Sequence, residues 1–184
     1  MHRQDGQLVA DARAGDTAAL GEIYERYGDR IYSFCLSRLR SRQPAEDATQ
    51  DTFVRAAQRL GQLRDPDRLR PWLFAIARNC IVDQVRQSQR ETSDEELAGV
   101  AADLPAPEAD LTRVESADLL WQASTSLQAR DQELLELHTR HGLEGEELAA
   151  ALGVDRRHCN VLLTRLRDRL ERALGSLLVA RHGR

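Results

Sequence analysis

The stretch "RPWLFAIARNCIVDQVRQSQR", residues 70–90, predicts one helix whose neighbouring faces differ in chemistry. Pro71 stands in the first turn, where a helix tolerates proline. At 100° per residue, four apolar side chains share a face that can pack on a core. They are Leu73, Ala77, Cys80 and Ile81. A second line runs beside them, which we call the polar stripe: Trp72, Ile76, Asn79, Asp83, Arg86 and Arg90.

The polar stripe has two interpretations when it is taken by itself. Trp72 and Ile76 could extend the core, with the other residues as ordinary helix surface. Alternatively, the line forms a platform for unpaired nucleic acid. In such a platform arginine holds phosphate, an amide contacts a base edge and flat side chains stack on bases. The pattern alone leaves both interpretations open.

The composition favours an all-α protein. Only 4% of the 184 residues are aromatic, and no segment shows the alternation with a period of two that strands show.

No apolar run has the length of a membrane span and the N-terminal residues lack a signal-peptide core, so we expect no membrane contact and a cytoplasmic location. Cys35, Cys80 and Cys159 each lie in an apolar helical pattern, which predicts buried free thiols in a reducing compartment.

The net charge of −4 is divided unevenly along the chain. Residues 1–90 carry 15 arginines against 12 acidic residues, whereas residues 91–120 carry one arginine against nine acidic residues. Residues 155–184 hold eight arginines against three acidic residues. An acidic stretch that contains alanine, glycine and two nearby prolines is typical of a linker. The sequence therefore predicts two helical domains, residues 1–90 and 113–184, joined by a flexible acidic linker over residues 91–112.

Helical periodicity predicts the other elements. A short helix spans about residues 7–14, and two more run through "TAALGEIYERYGDRIYSFCLSRLR", residues 17–40. The next helix begins near Pro44, and a loop over residues 61–70 leads into the opening stretch. Beyond the linker, helices are predicted over residues 110–127, 129–142 and 144–153, followed by a long final helix from about Arg156.

An acidic patch is predicted in "EDATQDTF", residues 46–53. Asp47, Gln50 and Asp51 are spaced i, i+3 and i+4, so they share one helix face, and Phe53 points away toward a core. Such a patch can be a solvated face, a divalent-metal site or a docking surface for a basic partner. A metal site requires more converging oxygen ligands than one helix offers, so we expect no metal here. The other two interpretations stay open.

The segment "LEGEELAAALGVDRRHCNVLLTRLRDRLERAL", residues 143–174, matches a helix-turn-helix. Its first helix ends at Gly153, and a tight turn leads to an arginine-rich second helix. In such units the second helix enters the DNA major groove. Many helical hairpins share this turn without binding DNA, but the basic tail favours DNA. The residues predicted to contact DNA, called the recognition face, are Arg156, Arg157, Asn160, Val161, Thr164, Arg165 and Arg167.

In this order, the three segments resemble the sigma factors of bacterial RNA polymerase, in their small two-domain extracytoplasmic-function (ECF) form. "EDATQDTFVRA" is similar to the family's polymerase-docking helix, and "WLFAIARNCIVDQVRQSQR" to its promoter-melting and minus-ten-recognition helix. Residues 129–154 resemble the start of its minus-thirty-five-binding domain. The pattern W-L-x-x-I-A-R-N-x-x-x-D is the specific signal, and the resemblance covers nearly the whole chain except the linker.

The resemblance implies a role for each surface. The acidic patch corresponds to the one that grips the clamp helices of the polymerase β′ subunit, and the second domain would meet the β flap. The loop over residues 61–70 corresponds to the one that pockets a flipped base of the minus-ten element. The resemblance also implies an anti-sigma factor as a partner, no cofactor and no enzymatic activity of the chain by itself. The non-template strand of the promoter would be held by Trp72, Asn79, Asp83, Arg86 and Arg90.

The final helix departs from the family pattern. Relatives commonly carry basic or small polar residues where this chain has Asn160, Val161 and Leu162, so we expect altered specificity and strength at the minus-thirty-five element. Two interpretations from other classes stay open. A helix-turn-helix regulator that acts without polymerase would leave the acidic patch and the polar stripe without a role. A helical interaction protein with no DNA role would leave the clustered arginines unexplained.

Overall fold

The computed structural model describes residues 3–91 and 123–182, with side chains for residues 3–89 and 123–177. Regular secondary structure within these ranges is helical throughout, so the predicted all-α fold is confirmed. The chain divides into two compact units, Met1–Leu104 and Pro105–Arg184, and each is described by itself. The predicted linker lies outside the described residues except for Glu91, and so does most of the helix predicted over residues 110–127.

The described part of the first unit is built from α-helices joined by short turns. The helices are Asp5–Arg13 (α1), Thr17–Leu39 (α2), Arg42–Arg59 (α3) and Leu69–Glu91 (α4). Two 3-10 turns, Leu60–Gln62 and Pro66–Arg68, connect α3 to α4. In the second unit, residues 123–125 are helical and the longer helices are Ala129–Thr139 (α5), Gly145–Leu152 (α6) and Arg156–His182 (α7).

The core of the first unit lies where α2 packs against α1, α3 and α4. Phe34 of α2 and Phe74 of α4 are fully buried and meet edge to face, with their ring centroids 5.5 Å apart. Such a pair adds about 0.5–1.5 kcal/mol beyond the burial of its area. The apolar face predicted for the opening stretch is confirmed by the burial of its members, Leu73, Ala77, Cys80 and Ile81. α4 is therefore anchored along one side.

One continuous helix, α2, replaces the two that the sequence predicts over residues 17–40. Gly28 lies inside α2, where glycine costs about 0.5–1 kcal/mol relative to alanine. Large side chains on both sides of Gly28 are nevertheless buried along one face: Ile23, Tyr27, Ile31 and Phe34. Burial of the isoleucine and phenylalanine side chains stabilises the folded unit by roughly 1.5–3 kcal/mol for each side chain. The prediction of two helices is wrong because tertiary packing outweighs the local propensity.

The connection between α3 and α4 is held in place by Arg13 of α1. The Arg13 guanidinium donates hydrogen bonds to the carbonyl oxygen of Leu60, at 3.0 Å, and to that of Leu63. The Asp65 carboxylate accepts a hydrogen bond from the backbone N–H of Asp67 at 3.1 Å and so starts the second 3-10 turn. The loop predicted over residues 61–70 is therefore a tied-down connection, and its last two residues already belong to α4.

Helices α6 and α7 form the predicted helix-turn-helix. Gly153 ends α6 in the left-handed conformation, with φ of 67°, and the N–H of Val154 donates to the carbonyl of Ala149 at 3.0 Å. The Asp155 carboxylate then caps α7 by accepting a hydrogen bond from the N–H of His158 at 2.8 Å. The turn between the two helices is short, as the motif requires.

The long helix α7 is anchored by apolar side chains and by an ion pair. Its predicted inward face is buried at Cys159 and Leu166 and half-buried at Leu163 and Leu170. The Arg169 guanidinium lies 2.5 Å from the carboxylate of Asp131 on α5, a side chain that is only 7% exposed. Because Cys159 and Leu166 are buried, the opposite side of α7, which carries the recognition face, is turned toward solvent.

All three cysteines are buried and none of them forms a disulfide, as predicted. Burial raises the pKa of Cys80 and of Cys159, because a thiolate is poorly solvated inside the protein. These two thiols therefore stay protonated and pack as small apolar groups.

Candidate functional site

The acidic patch lies on the solvent side of α3. Asp47 is half-buried and accepts a hydrogen bond from the Gln43 amide at 3.2 Å, while Gln50 and Asp51 are exposed. The opposite side of α3 is buried, and there the Thr52 hydroxyl donates to a backbone carbonyl at 2.6 Å. This packing fixes the rotation of α3, so the three patch residues face outward together, as their spacing predicts.

The polar stripe presents three of its members on the exposed side of α4. Asn79, Asp83 and Arg86 are exposed and span about 10 Å along the helix. Trp72 is half-buried, which leaves part of its indole at the surface. Arg90 lies within α4, but its side chain is outside the described residues. The structure thus brings together an amide, a carboxylate and a guanidinium on one face.

Ile76 does not belong to this exposed surface. It is only 6% exposed and packs as part of the core. At 100° per residue, Ile76 is separated from the buried Cys80 by about 40° around the helix axis, so it lies at the core edge of the stripe. The core interpretation therefore holds for Ile76, while the polar members of the stripe face solvent.

Sequence reasoning missed Arg55, which joins the acidic patch to the polar stripe. Its guanidinium donates a hydrogen bond to the Asp83 carboxylate at 2.7 Å and lies 3.7 Å from the Asp51 carboxylate. The hydrogen bond to Asp83 raises the pKa of Arg55. The i, i+4 spacing of Asp51 and Arg55 is visible in the sequence. The contact with Asp83 joins residues 28 positions apart on two helices, and no local pattern predicts it.

The recognition face is exposed on α7 at each of its seven positions. Arg156 lies 3.8 Å from Glu146 of α6. Within the described ranges, no carboxylate lies at ion-pair distance from Arg157, Arg165 or Arg167. These three guanidinium groups are therefore available to an anionic ligand such as a nucleic-acid backbone.

The described residues contain no group of three or more histidine, cysteine or acidic side chains that could hold a metal ion. Among the helices of residues 3–91 and 123–182, none combines the length and the apolar character needed to cross a bilayer. The candidate functional surfaces are the acidic patch and the polar stripe in the first unit and the recognition face in the second unit.

The first unit matches a known protein family. Residues 23–91 match the family described as sigma-70 region 2. This range contains most of α2 and all of α3 and α4, and so includes the acidic patch, Arg55 and the polar stripe.

Curated relatives extend the similarity along the chain. The ECF RNA polymerase sigma factor SigM of Bacillus subtilis is 30% identical over 153 residues, which cover 83% of this chain and 93% of SigM. The RNA polymerase sigma factor NccH of Alcaligenes xylosoxydans xylosoxydans is 30% identical, with 94% of this chain and 95% of NccH covered. The ECF RNA polymerase sigma factor BldN of Streptomyces coelicolor is 31% identical over 80% of this chain, which spans 57% of BldN.

Two solved structures are similar to this one. CnrH, in complex with the cytosolic domain of CnrY, has a TM-score of 0.66 at 26% identity, with 94% of this chain and 97% of CnrH covered. The sigma factor RpoE, in complex with the anti-sigma factor NepR from Bartonella quintana, has a TM-score of 0.66 at 25% identity, with coverage of 84% and 96%. SigM and NccH are similar to this chain over nearly their whole length, and the region 2 match indicates the same family. This chain therefore belongs to the ECF family of RNA polymerase sigma factors.

Proposed function

We propose that this protein binds core RNA polymerase, recognises promoter DNA and initiates transcription as a sigma factor. One observation carries the proposal. An acidic surface suited to a basic protein partner and a polar surface suited to a nucleic-acid strand lie on adjacent helices of one unit and are joined by Arg55. We assign polymerase docking and minus-ten recognition to residues 1–90, linkage to residues 91–112 and minus-thirty-five recognition to residues 113–184. The chain acts in the cytoplasm and performs no enzymatic chemistry by itself.

Docking on the polymerase is assigned to the acidic patch. Asp47 and Asp51 lie one turn apart on α3, and Gln50 between them adds an amide that can donate and accept hydrogen bonds. Carboxylates in this arrangement form charge-assisted hydrogen bonds with arginine or lysine side chains. The basic partner is the pair of clamp helices of the β′ subunit, and the second unit contacts the β flap.

Strand separation is assigned to the loop over residues 61–70 and to four residues of the polar stripe: Trp72, Asn79, Arg86 and Arg90. Arg86 binds a phosphate, Asn79 contacts a base edge and the exposed part of Trp72 offers a stacking surface. The loop, tied down by Arg13, receives a base taken out of the stack. Each base removed from the duplex costs a few kcal/mol, and binding of the freed strand offsets this cost.

Minus-thirty-five recognition is assigned to the recognition face, and two of its arginines should behave differently. Arg157 lies in the first turn of α7, the part of a recognition helix that reaches base edges, so Arg157→Ala should reduce discrimination at one base pair by about tenfold. Arg167 lies farther along α7 and is expected to contact phosphate. Arg167→Ala should weaken binding to all DNA sequences by the same factor. It should also reduce, by about one, the magnitude of the slope of log binding constant against log salt concentration.

Both effects, on base discrimination and on salt dependence, are measured by titration. The holoenzyme is titrated with promoters mutated at the minus-thirty-five element at several salt concentrations. Arg130→Ala is the matched control, because it removes the same charge from an exposed position on α5. A uniform loss of affinity in Arg157→Ala, with discrimination intact, would contradict the assignment of base contacts.

Regulation by an anti-sigma factor is part of the proposal. It is supported by two structural neighbours that were solved with a bound partner, of which RpoE was bound to the anti-sigma factor NepR. Gln50 and Asp51 of the acidic patch and all residues of the recognition face are exposed, so a protein that covers either surface would block transcription.

Run-off transcription tests the function as a whole. Core polymerase with this chain should produce a promoter-specific transcript that core polymerase alone does not produce, and the cognate anti-sigma factor should remove it. A helix-turn-helix regulator acting without polymerase would bind duplex DNA but give no new transcript. A helical interaction protein would do neither. Either of these results would overturn the proposal.

A further inference from the structure

The polar stripe contains a carboxylate that strand binding does not explain. Asp83 lies between Asn79 and Arg86 on the exposed side of α4, and its side chain is 51% exposed. A phosphate chain that passes along this face would be repelled by the charge of Asp83. Asp83 and Arg86 are also spaced i, i+3 on one helix, so they are natural partners for an ion pair.

In the structure the carboxylate of Asp83 pairs with Arg55 of the neighbouring helix instead. The Arg55 guanidinium donates to Asp83 at 2.7 Å, and the Arg55 side chain is 28% exposed. Beneath it the helices are closely packed, since Thr52 of α3 and Cys80 of α4 are buried against each other. Within the described residues no ion pair joins Asp83 to Arg86. The Arg86 guanidinium is exposed on the same face.

We propose that Arg55 is a positioning residue of the strand-binding surface, which engages Asp83 and so keeps Arg86 available to phosphate. The inference rests on the function proposed above. Arg55 neutralises the one carboxylate of the polar stripe and prevents it from pairing along α4 with Arg86. Since Arg55 also faces Asp51 at 3.7 Å, the same side chain connects the strand-binding surface to the acidic patch.

A double-mutant cycle on the holoenzyme tests this role. The measurement is the affinity for a fluorescent single-stranded oligonucleotide of the non-template minus-ten sequence, at several salt concentrations. Arg55→Ala should lower the affinity about three- to fivefold, because Asp83 then repels the strand and pairs with Arg86. The log–log salt slope should shrink by about 0.7, the value for one lost phosphate contact on a single strand.

Removing Asp83 as well should reverse these changes. The double variant Arg55→Ala/Asp83→Ala should return to within about twofold of the parent affinity and regain its salt slope. Arg55→Lys, which keeps a charge beside Asp83, should also stay within about twofold. Arg59→Ala, which removes an arginine from an exposed position one turn farther along α3, should change neither quantity. A variant with a folding defect would lower the active fraction without altering the salt slope.

The outcomes separate this inference from the proposed function. If the double variant binds the strand as weakly as Arg55→Ala or more weakly, then Arg55 or Asp83 contacts the strand directly and the inference is wrong. If the parent protein fails to associate with core polymerase, or its holoenzyme fails to bind the strand, the proposed function itself is wrong. Association with core polymerase is measured separately for each variant, because Arg55 also faces Asp51 in the acidic patch.

Discussion

Replacing both Asp47 and Asp51 with arginine should abolish association with core RNA polymerase. The change converts the acidic patch into a basic one, so attraction to a basic partner becomes repulsion. Truncating one member of a buried, hydrogen-bonded charge pair costs about 2–5 kcal/mol at an interface, and reversing two charges should weaken binding at least about a hundredfold. The measurement is co-purification with core polymerase, supported by a titration that gives the dissociation constant.

The chain offers a closely matched control for this variant. Glu25 and Asp29 on α2 are both exposed and have the same i, i+4 spacing, so Glu25→Arg/Asp29→Arg makes the same change in charge at a different surface. Circular dichroism should show unchanged helicity for both double variants. Because an arginine at position 51 would face Arg55, the milder Asp47→Asn/Asp51→Asn should also be measured, and it should show an intermediate loss. Undiminished co-purification of the reversed variant would remove the main support for docking through α3.

Replacing Asn79 and Arg86 with alanine should impair open-complex formation on duplex promoters by at least about tenfold. The two side chains lie on the exposed face of α4 and are proposed to hold the separated strand. A hydrogen bond contributes about 0.5–1.5 kcal/mol and one to a charged group about 1.5–3 kcal/mol, so losing the Asn79 and Arg86 contacts shifts the melting equilibrium toward the closed duplex. The measurement is the rate of open-complex formation by permanganate footprinting or fluorescence.

A pre-melted template distinguishes melting from base recognition. The loss of activity caused by the two substitutions should be smaller on the pre-melted template than on the duplex if Asn79 and Arg86 mainly assist melting. The two losses should be equal if these residues read bases. The control is Gln58→Ala/Arg59→Ala, which removes an amide and a guanidinium from exposed positions of α3. Full activity of the Asn79/Arg86 variant on both templates would show that these residues are ordinary solvent-exposed surface with no role in strand binding.

Much of the candidate site could be predicted because its surfaces are properties of single helices. The spacing of Asp47, Gln50 and Asp51 places them together whenever residues 42–59 are helical, and the same holds for Asn79, Asp83 and Arg86 on α4. The turn residue Gly153 likewise predicts the helix-turn-helix, because its left-handed conformation is a local property. The roles of these residues in binding polymerase and promoter stay predictions until the variants above are measured.

Other features of the site depend on contacts that no local pattern contains. The sequence groups Ile76 with the polar stripe, but packing places it in the core at 6% exposure. The role of Asp83 as a strand contact stays a prediction, but its hydrogen bond with Arg55 of the neighbouring helix is visible only in the structure. Both features depend on how α4 packs against the other helices of the first unit.

The sequence by itself determined the all-α class, the apolar faces of α4 and α7 and the burial of the cysteines, since all of these follow from periodicity over a few turns. Only the tertiary structure decided that α2 continues through Gly28, that Arg13 ties down the connection before α4 and that Arg55 bridges Asp51 and Asp83. Apart from the neighbouring pair Asp51 and Arg55, these features are stabilised by contacts between residues far apart in the chain. These contacts form, and contribute to stability, only once the helices have packed against one another.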